Sequence, residues 1–312
     1  MGVQAQIAKS GIWLYRRTVK KIKPLRDLGN AAGSLVVSVI SSAKDFEVVE
    51  DDPLWFRLEL LTRAYESETV EIVRRIAKPG MTALDIGAHV GYYTRLLSKL
   101  AGDAGRVIAF EPHPRTVAKL RHNVRQLKNV TVERVAVTDK EGDDALYDVL
   151  PDSGGASLRY DPNQDGYMKE RLAGRELAPR VMENLPMLSY VVKTVPLDSY
   201  LCQRNSERVD FIKMDIEGAE ASAVRGMERT VGRSGPLRMI MEFNPAALRT
   251  FGADPLELWG TLRRLGFRVM VINGRHGLQP LSDSRVVGSL IQTLETRTRE
   301  RINFLCEKTQ AG

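Results

Sequence analysis

Residues 83–94, ALDIGAHVGYYT, run from a short apolar segment through Gly87 and Gly91 into a segment of helical character. A buried strand that turns sharply into a helix has this composition. Glycine reaches backbone dihedrals closed to other residues and lets a ligand approach the main chain. Asp85, at the strand end, is placed to accept hydrogen bonds. Taken alone, the stretch is equally a tight structural turn with no ligand, so its meaning depends on what flanks it.

Upstream, Leu58, Leu60, Leu61, Ala64, Val70, Ile72, Val73 and Ile76 recur at helical spacing over 55–76. Lys78-Pro79-Gly80 then stops the helix. Downstream, the spacing predicts strand 81–86, helix 92–100, strand 106–110, helix 114–127 and strand 130–137. After an interruption come strands 191–195 and 209–214, helix 219–231, strand 237–243, helix 255–265, strand 267–272 and a last strand within 301–306. This alternation predicts one parallel, doubly wound α/β sheet with helices on both faces. The rhythm breaks over 142–188, rich in Gly, Asp and Pro, and the break reads as a lid-like insertion or a disordered excursion. The expected organisation is therefore a basic N-terminal arm over 1–50 and a domain over 51–312 with an insertion at about 142–190.

The second strand ends in Phe110-Glu111-Pro112, and Glu111 follows Gly87 by 24 residues. That spacing suits an acid that grips ribose hydroxyls. A nicotinamide dinucleotide would call for G-x-G-x-x-G, so that amides can approach a pyrophosphate. Here Gly87-Ala88-His89 lacks the second glycine, and Asp85 would repel phosphate while suiting a sulfonium. The loop therefore favours S-adenosylmethionine over NAD, and no P-loop motif is present. The cofactor contacts expected are Asp85, Gly87, His89, Gly91, Tyr92, Thr94, Glu111, Pro112 and Asp215. Ala136 and Val137 are expected near the adenine, with Asp139 a weaker candidate.

LDIGAHVGYYT, FEPHP, VAVTDKEG, VPLDSYL, VDFIKMDIEGAE and MIMEFNP resemble, in this order, the motifs of the FkbM family of S-adenosylmethionine-dependent methyltransferases. The resemblance covers about 66–245, and DFIKMDIEGAE is its most discriminating part. It implies a class I methyltransferase fold, Rossmann-like, with a seven-stranded, mostly parallel sheet. It also implies methyl transfer to hydroxyls of sugars or natural products. An acid at Glu242 belongs to the family motif, and Ser157 in GGASL resembles a recurring element that sits over the cofactor. The family often carries Asn where this chain has His89. The first fifty residues and the 142–188 insertion lie outside the resemblance, so the acceptor does not follow from it.

In KMDIEGAE, Phe211, Lys213 and Asp215 share one face of the predicted strand. A lysine in a strand covered on both faces requires a carboxylate partner. Asp215 falls at the carboxyl end of the strand, where open α/β sheets bind ligands. Glu217 and Glu220 follow near a helix start, where acids also complement the helix dipole. Glu242 is a second charge in an apolar strand, placed to pair with Lys213 or to enter the same pocket. The expected catalytic group is Asp215, Glu217, Lys213 and Glu242. Asp215, Glu217 and Glu242 are also a possible oxygen-ligand set for Mg²⁺.

A sugar hydroxyl is a weak nucleophile and requires a base or a metal. Candidate bases are Asp215, Glu217, His89 and His113. His89 reads first as a cofactor-loop residue beside the methionine moiety and second as the base. His122 and His276 read as surface residues.

The net charge of +7 and pI near 9.4 are unevenly distributed. Seven Lys/Arg stand against one Asp among the first 30 residues. That concentration weakens a nucleic-acid reading. The arm, with Trp13, Leu14 and Tyr15 beside a basic run, reads as a membrane-surface helix, a solvated helix or a disordered tail. The two cysteines, Cys202 and Cys306, match no metal spacing and point to a reducing compartment. The leading expectation is a cytoplasmic O-methyltransferase acting on a glycan, glycolipid or secondary metabolite, with peripheral membrane contact if the arm lies on a surface. RNA methylation, a catalytically silent cofactor-binding scaffold and an NAD-dependent dehydrogenase are the rivals.

Overall fold

The computed structural model of the chain describes residues 23–149, 153–160, 187–204, 208–273, 277–296 and 301–309. Of the sequence expectations, the front of the arm, the greater part of the insertion at about 142–190 and His276 lie outside them. Helices α1 (Lys23–Lys44), α2 (Leu54–Thr62) and α3 (Ser67–Ile76) lead into β1 (Thr82–Ile86), α4 (Tyr92–Ala101), β2 (Arg106–Phe110), α5 (Pro114–Val124) and β3 (Val130–Glu133). Then come β4 (Ala136–Val137), β5 (Gly142–Val149), β6 (Met187–Val195), α6 (Leu197–Gln203), β7 (Phe211–Met214), α7 (Glu220–Arg225), α8 (Glu228–Arg233) and β8 (Leu237–Phe243). The chain finishes with α9 (Pro245–Thr250), α10 (Pro255–Arg264), β9 (Arg268–Asn273), β10 (Gly277–Pro280), α11 (Ser284–Thr296) and β11 (Ile302–Lys308).

The main sheet has the order β10-β9-β11-β8-β7-β1-β2-β3. Pairs β1–β2, β2–β3, β1–β7 and β7–β8 are parallel, whereas β11 lies antiparallel between β8 and β9. The seven expected strands gain an eighth, because β10 turns back on β9 as an antiparallel edge. The sheet is covered on both faces. Ile212 and Met214 of β7 enter one apolar cluster with Leu84, Ile86, Met239 and Phe243, and Phe211 enters another with Ala83, Val107 and Ile240. This is the period-two alternation of a strand buried on both sides.

Four local expectations change. The single helix predicted over 55–76 is two. α2 ends at Arg63, in left-handed geometry at φ 60°, and Glu66 at φ 41° precedes α3. The two halves serve different clusters, since Leu60 and Leu61 join Val37, Phe46, Val48, Val49 and Val90, whereas Val70 and Val73 pack beneath the sheet. Each such side chain contributes about 1.5–3 kcal/mol on full burial, so the packed unit reaches back past residue 50 to Val37. The strand expected over 130–137 also splits, with β3 on the main sheet and β4 beside β6 in a separate three-stranded sheet ordered β4-β6-β5.

The aperiodic insertion opens with a strand after all. β5 pairs antiparallel with β6 from Gly142↔Thr194 to Val149↔Met187. Its aspartates hid it, and the one facing inward, Asp148, is fully buried against His113. Finally, helix 219–231 is interrupted at Gly226, where a Cβ would stand 2.0 Å from the Thr138 carbonyl oxygen. The loop after β4 thus seats itself on the helix pair, with Asp139 accepting from Ser222 Oγ at 2.8 Å and Arg225 Nε at 2.9 Å.

Candidate functional site

The strand order reverses between β1 and β7, and the crevice at their carboxyl ends is where ligands bind in open α/β sheets. Two loops meet there. The Asp215 amide donates to the Ile86 carbonyl at 3.0 Å, and Gly87 and Ala88 donate to Phe110 O at 2.9 and 3.0 Å. Gly87 has φ +82°, and a Cβ on it would lie 1.9 Å from Asp215 O. No other residue fits this approach. Above the loops opens a cavity of about 750 Å³.

The cavity wall combines an apolar slot with an acid. Val135, Ala136, Val137, Leu146, Leu158 and Ile216 form the slot, and Glu111 and Pro112 stand beside it. Glu111 has a second task that its spacing did not reveal. Oε2 accepts the His89 amide at 2.7 Å and Oε1 the His113 amide at 2.9 Å, tying the loop after β1 to the loop after β2. Burial is the main influence raising its carboxyl above the usual range, opposed by these hydrogen bonds. The Thr116 side chain is a third hydrogen-bond partner, which leaves one lone pair of the carboxylate for a ligand hydroxyl.

Asp85 lines the cavity and accepts from Thr94 Oγ1 at 2.5 Å; burial pushes its carboxyl up to about 6. Thr94 itself is fully buried and, like Gly91, does not line the cavity, so both act by shaping the loop. Gly91 caps α4 at φ +89°, against Leu120. Tyr92 lines the cavity. His113, a candidate base by sequence, does not line the cavity, and both ring nitrogens are engaged: Nδ1 accepts from the Arg115 amide at 3.1 Å and Nε2 meets Asp148 at 2.9 Å.

His89 lies in left-handed geometry at φ +51° and faces the cavity. Its Nε2 is 2.7 Å from Ser153 Oγ. Ser153 in turn donates through its amide to Asp52 Oδ1 at 2.8 Å and through its hydroxyl to Asp52 Oδ2 at 2.7 Å. Burial lowers the His89 pKa to about 4, with a smaller push from His113, so the ring is neutral at physiological pH.

Asp215 and Glu217 of KMDIEGAE also line the cavity. Lys213 is 1% exposed, and its Nζ reaches Asp215 Oδ2 at 3.3 Å and stands 5.1 Å from the centre of the Tyr93 ring. Tyr93 donates to Glu66 at 2.6 Å. Glu242, 3% exposed, enters the same pocket, but its ion-pair partner is Arg301 rather than Lys213. The half-exposed guanidinium bridges two carboxylates, with Nε 3.2 Å from Glu242 and Nη1 3.0 Å from Glu217. Burial raises the Glu242 carboxyl well above its ordinary range, Asp215 adds to this and Arg301 opposes it. Glu217 sits at φ +52° in the turn before α7, and Ser157 Oγ donates to its carbonyl at 2.9 Å.

Asp215, Glu217 and Glu242 bring one oxygen each within 4.8 Å of one another. That all-oxygen set is of a kind that suits Mg²⁺. Arg301 already pairs with two of the three, so the chain supplies part of the positive charge that a divalent ion would bring.

Glu220 is a strap rather than a ligand group. Oε1 accepts the Ile216 and Gly218 amides at 3.1 and 3.4 Å, and Oε2 is buried with no hydrogen-bond partner among the described residues. Burial raises its pKa to about 7, and Asp215 and Glu217 add to the rise. A folded-state pKa above the unfolded value means stability is lost as pH rises from about 4.5 to about 7. Glu220→Gln should therefore gain melting temperature relative to the parent between pH 5 and pH 8. Parallel melting curves with a constant difference would contradict the assignment.

Sequence reasoning missed Asp52, Trp55, Phe56, Tyr65, Glu66, Ser153 and Arg301, all at or behind the cavity wall. Most belong to α2, to the turn after it or to the insertion, where no motif marked them. SGGAS at 153–157 was the one available signal.

A family model described as the methyltransferase FkbM domain matches residues 85–269. Among characterised proteins, the 2-O-methyltransferase NoeI of Sinorhizobium fredii is 30% identical over 172 residues, 53% of this chain and 64% of that protein. Methyltransferase 1 of Beauveria bassiana is 28% identical over 148 residues, 46% of this chain and 57% of that one. The match thus spans less than two thirds of the length of these curated relatives. Among solved structures, an S-adenosylmethionine-dependent methyltransferase from Aquifex aeolicus aligns at 18% identity and TM-score 0.39, covering 87% of this chain and 97% of that one.

Proposed function

The chain belongs to the FkbM methyltransferase family, and from that premise we propose that it methylates a hydroxyl of an uncharged or cationic acceptor, a glycan, glycolipid or secondary metabolite. The observation that carries this reading is the charge of the cavity wall. Glu59, Glu66, Glu68, Asp215, Glu217 and Glu242 line it, with Lys213 and Arg301 the cations among the described residues, beside Trp55, Phe56, Tyr65 and Tyr92. A polyanion such as RNA would meet repulsion there, whereas sugar rings are met by aromatic faces and carboxylate acceptors. That the relative NoeI is a 2-O-methyltransferase favours oxygen as the attacked atom. The convergence of Asp85, Gly87, Glu111 and Asp215 on one crevice favours an active enzyme over a silent scaffold.

S-adenosylmethionine, when bound, supplies an electrophilic methyl group on a sulfonium. The residues fit it: the apolar slot suits adenine, Glu111 a ribose and Asp85 a cationic ligand. The chain's own work is to orient the acceptor and take its proton. Asp215, 23% exposed at its side chain and fixed by Lys213, is the group that reaches the acceptor. Glu242 and Glu217, joined through Arg301, form the wall behind it.

The test is incubation with methyl-labelled S-adenosylmethionine and cell extracts separated into glycan, lipid and RNA fractions, with and without EDTA. Label in glycans or lipids that survives EDTA is the expected result; label in RNA would overturn the acceptor class, and its loss with EDTA would install a metal. Glu111→Ala should also weaken binding of the demethylated product, S-adenosylhomocysteine, by about 1–3 kcal/mol through lost charged hydrogen bonds. Calorimetry giving equal affinity for parent and variant would remove Glu111 from the cofactor site.

The arm stays a proposal of the same kind. Leu35, Val36 and Val39 are exposed on α1, and a peripheral membrane contact would cover them. Among the described residues no helix is long and apolar enough to cross a membrane.

A further inference from the structure

We infer that Asp52 and Ser153 are positioning residues that hold His89 in a single tautomer, leaving its Nδ1 as an acceptor for the α-ammonium of the cofactor's amino-acid tail. The inference rests on the S-adenosylmethionine reading above. Its basis is a proton count along three groups drawn from distant parts of the chain.

A carboxylate only accepts hydrogen bonds. Asp52, 2% exposed, accepts the amide and the hydroxyl of Ser153, one at each oxygen. Ser153, 5% exposed, has one hydroxyl proton, and that proton is given to Asp52. Only lone pairs remain on Oγ, so at 2.7 Å His89 Nε2 must carry the hydrogen. A neutral imidazole protonated on Nε2 has an unprotonated Nδ1. That nitrogen has no hydrogen-bond partner among the described residues, and His89 lines the cavity. The direction of every bond is thus set by the buried carboxylate, and the relay ends in an acceptor turned to the ligand.

The occupant follows from complementary chemistry. An acceptor suits a group rich in donors, and the ammonium offers three N–H bonds and a positive charge. The tail carboxylate offers none, the ribose hydroxyls fall to Glu111 and the adenine to the apolar slot. The depressed pKa of His89 agrees, since an imidazolium would repel the ammonium. The Phe56 ring, its centre 5.8 Å from that of His89, packs against the imidazole.

Asp52→Asn in the full chain is the decisive variant. Its amide can donate to Ser153 Oγ, which frees the hydroxyl to donate to Nε2 and drives the ring proton to Nδ1. Replacing the carboxylate of such a relay by an amide inverts histidine in this way. Two ligands serve as probes by calorimetry: S-adenosylhomocysteine, and 5′-methylthioadenosine, which shares the nucleoside and thioether but lacks the tail. The variant should bind S-adenosylhomocysteine about tenfold more weakly, with 5′-methylthioadenosine unchanged within about twofold. The imidazole ¹⁵N shifts of His89 should change from the Nε2–H to the Nδ1–H pattern. Ser153→Ala, which removes the link without a new donor, should show the same ligand selectivity and serves if Asp52→Asn fails to fold. Unchanged affinity with an unchanged tautomer overturns the inference, as does equal weakening of both ligands, which marks a packing defect. A parent protein that binds neither ligand removes the cofactor reading itself and this inference with it.

Discussion

Asp215→Asn should lower kcat by about 10²–10⁴-fold, the range of a lost general base, while S-adenosylhomocysteine affinity stays within about threefold. The substitution keeps the side-chain shape and removes the charge. Asp215 stands at the carboxyl end of β7, pinned from below by its own amide to Ile86 O and from the side by Lys213 Nζ at 3.3 Å. A base must be held still and yet reach the acceptor, and Asp215 keeps 23% of its side chain exposed where Lys213 and Glu242 are buried. Single-turnover kinetics with the acceptor found by fractionation, set beside calorimetry, separates the two effects. A loss confined to cofactor affinity would move Asp215 out of the acceptor's reach and into the cofactor's.

Lys213→Met should destabilise the fold by about 3–5 kcal/mol at neutral pH, the cost of breaking a buried charge assembly by removing one member. Burial alone would lower the Lys213 pKa. Asp215, then Glu66, Glu242 and Asp85, more than reverse this and raise it above the ordinary lysine value, so the ammonium is charged across the physiological range. Without it, Asp215, Glu66, Glu242 and Asp85 lose the buried cation they share, and Arg301 remains to pair with Glu242. The Asp85 and Glu242 carboxyls, which burial already holds above their ordinary range, should then rise further. Stability of the variant should accordingly fall as pH rises through the carboxylate range and approach that of the parent near pH 5. Urea unfolding at pH 5 and pH 8 measures this, and an equal deficit at both would show that Lys213 acts by packing alone.

Much of the fold was legible because its signals are local. The alternation of β7, the glycines at 87 and 91 and the helix stop at Lys78-Pro79-Gly80 each report on neighbours a few residues away. Where local signals misled, a tertiary partner had overruled them. The aspartates of β5 read as loop because a buried Asp148 makes sense only beside His113. One helix became two at 63–66 because its two apolar stripes face different cores. Lys213 announced its need for a carboxylate from its place in an apolar strand, whereas Arg301 announced nothing, since its partners Glu217 and Glu242 lie 84 and 59 positions away.

By itself the sequence determined the doubly wound sheet, the sulfonium cofactor in place of a pyrophosphate one, and the acids at 111, 215 and 242. Residue type and short spacing set those features, through strand alternation, glycine dihedrals and the charge a ligand will tolerate. Only the tertiary structure decided which charges compensate which, and that Thr94 braces Asp85. It alone joined His89 to Asp52 through a serine from the insertion. Hydrogen bonds and ion pairs act over about 3 Å, and no pattern along the chain encodes which distant groups folding will bring that close.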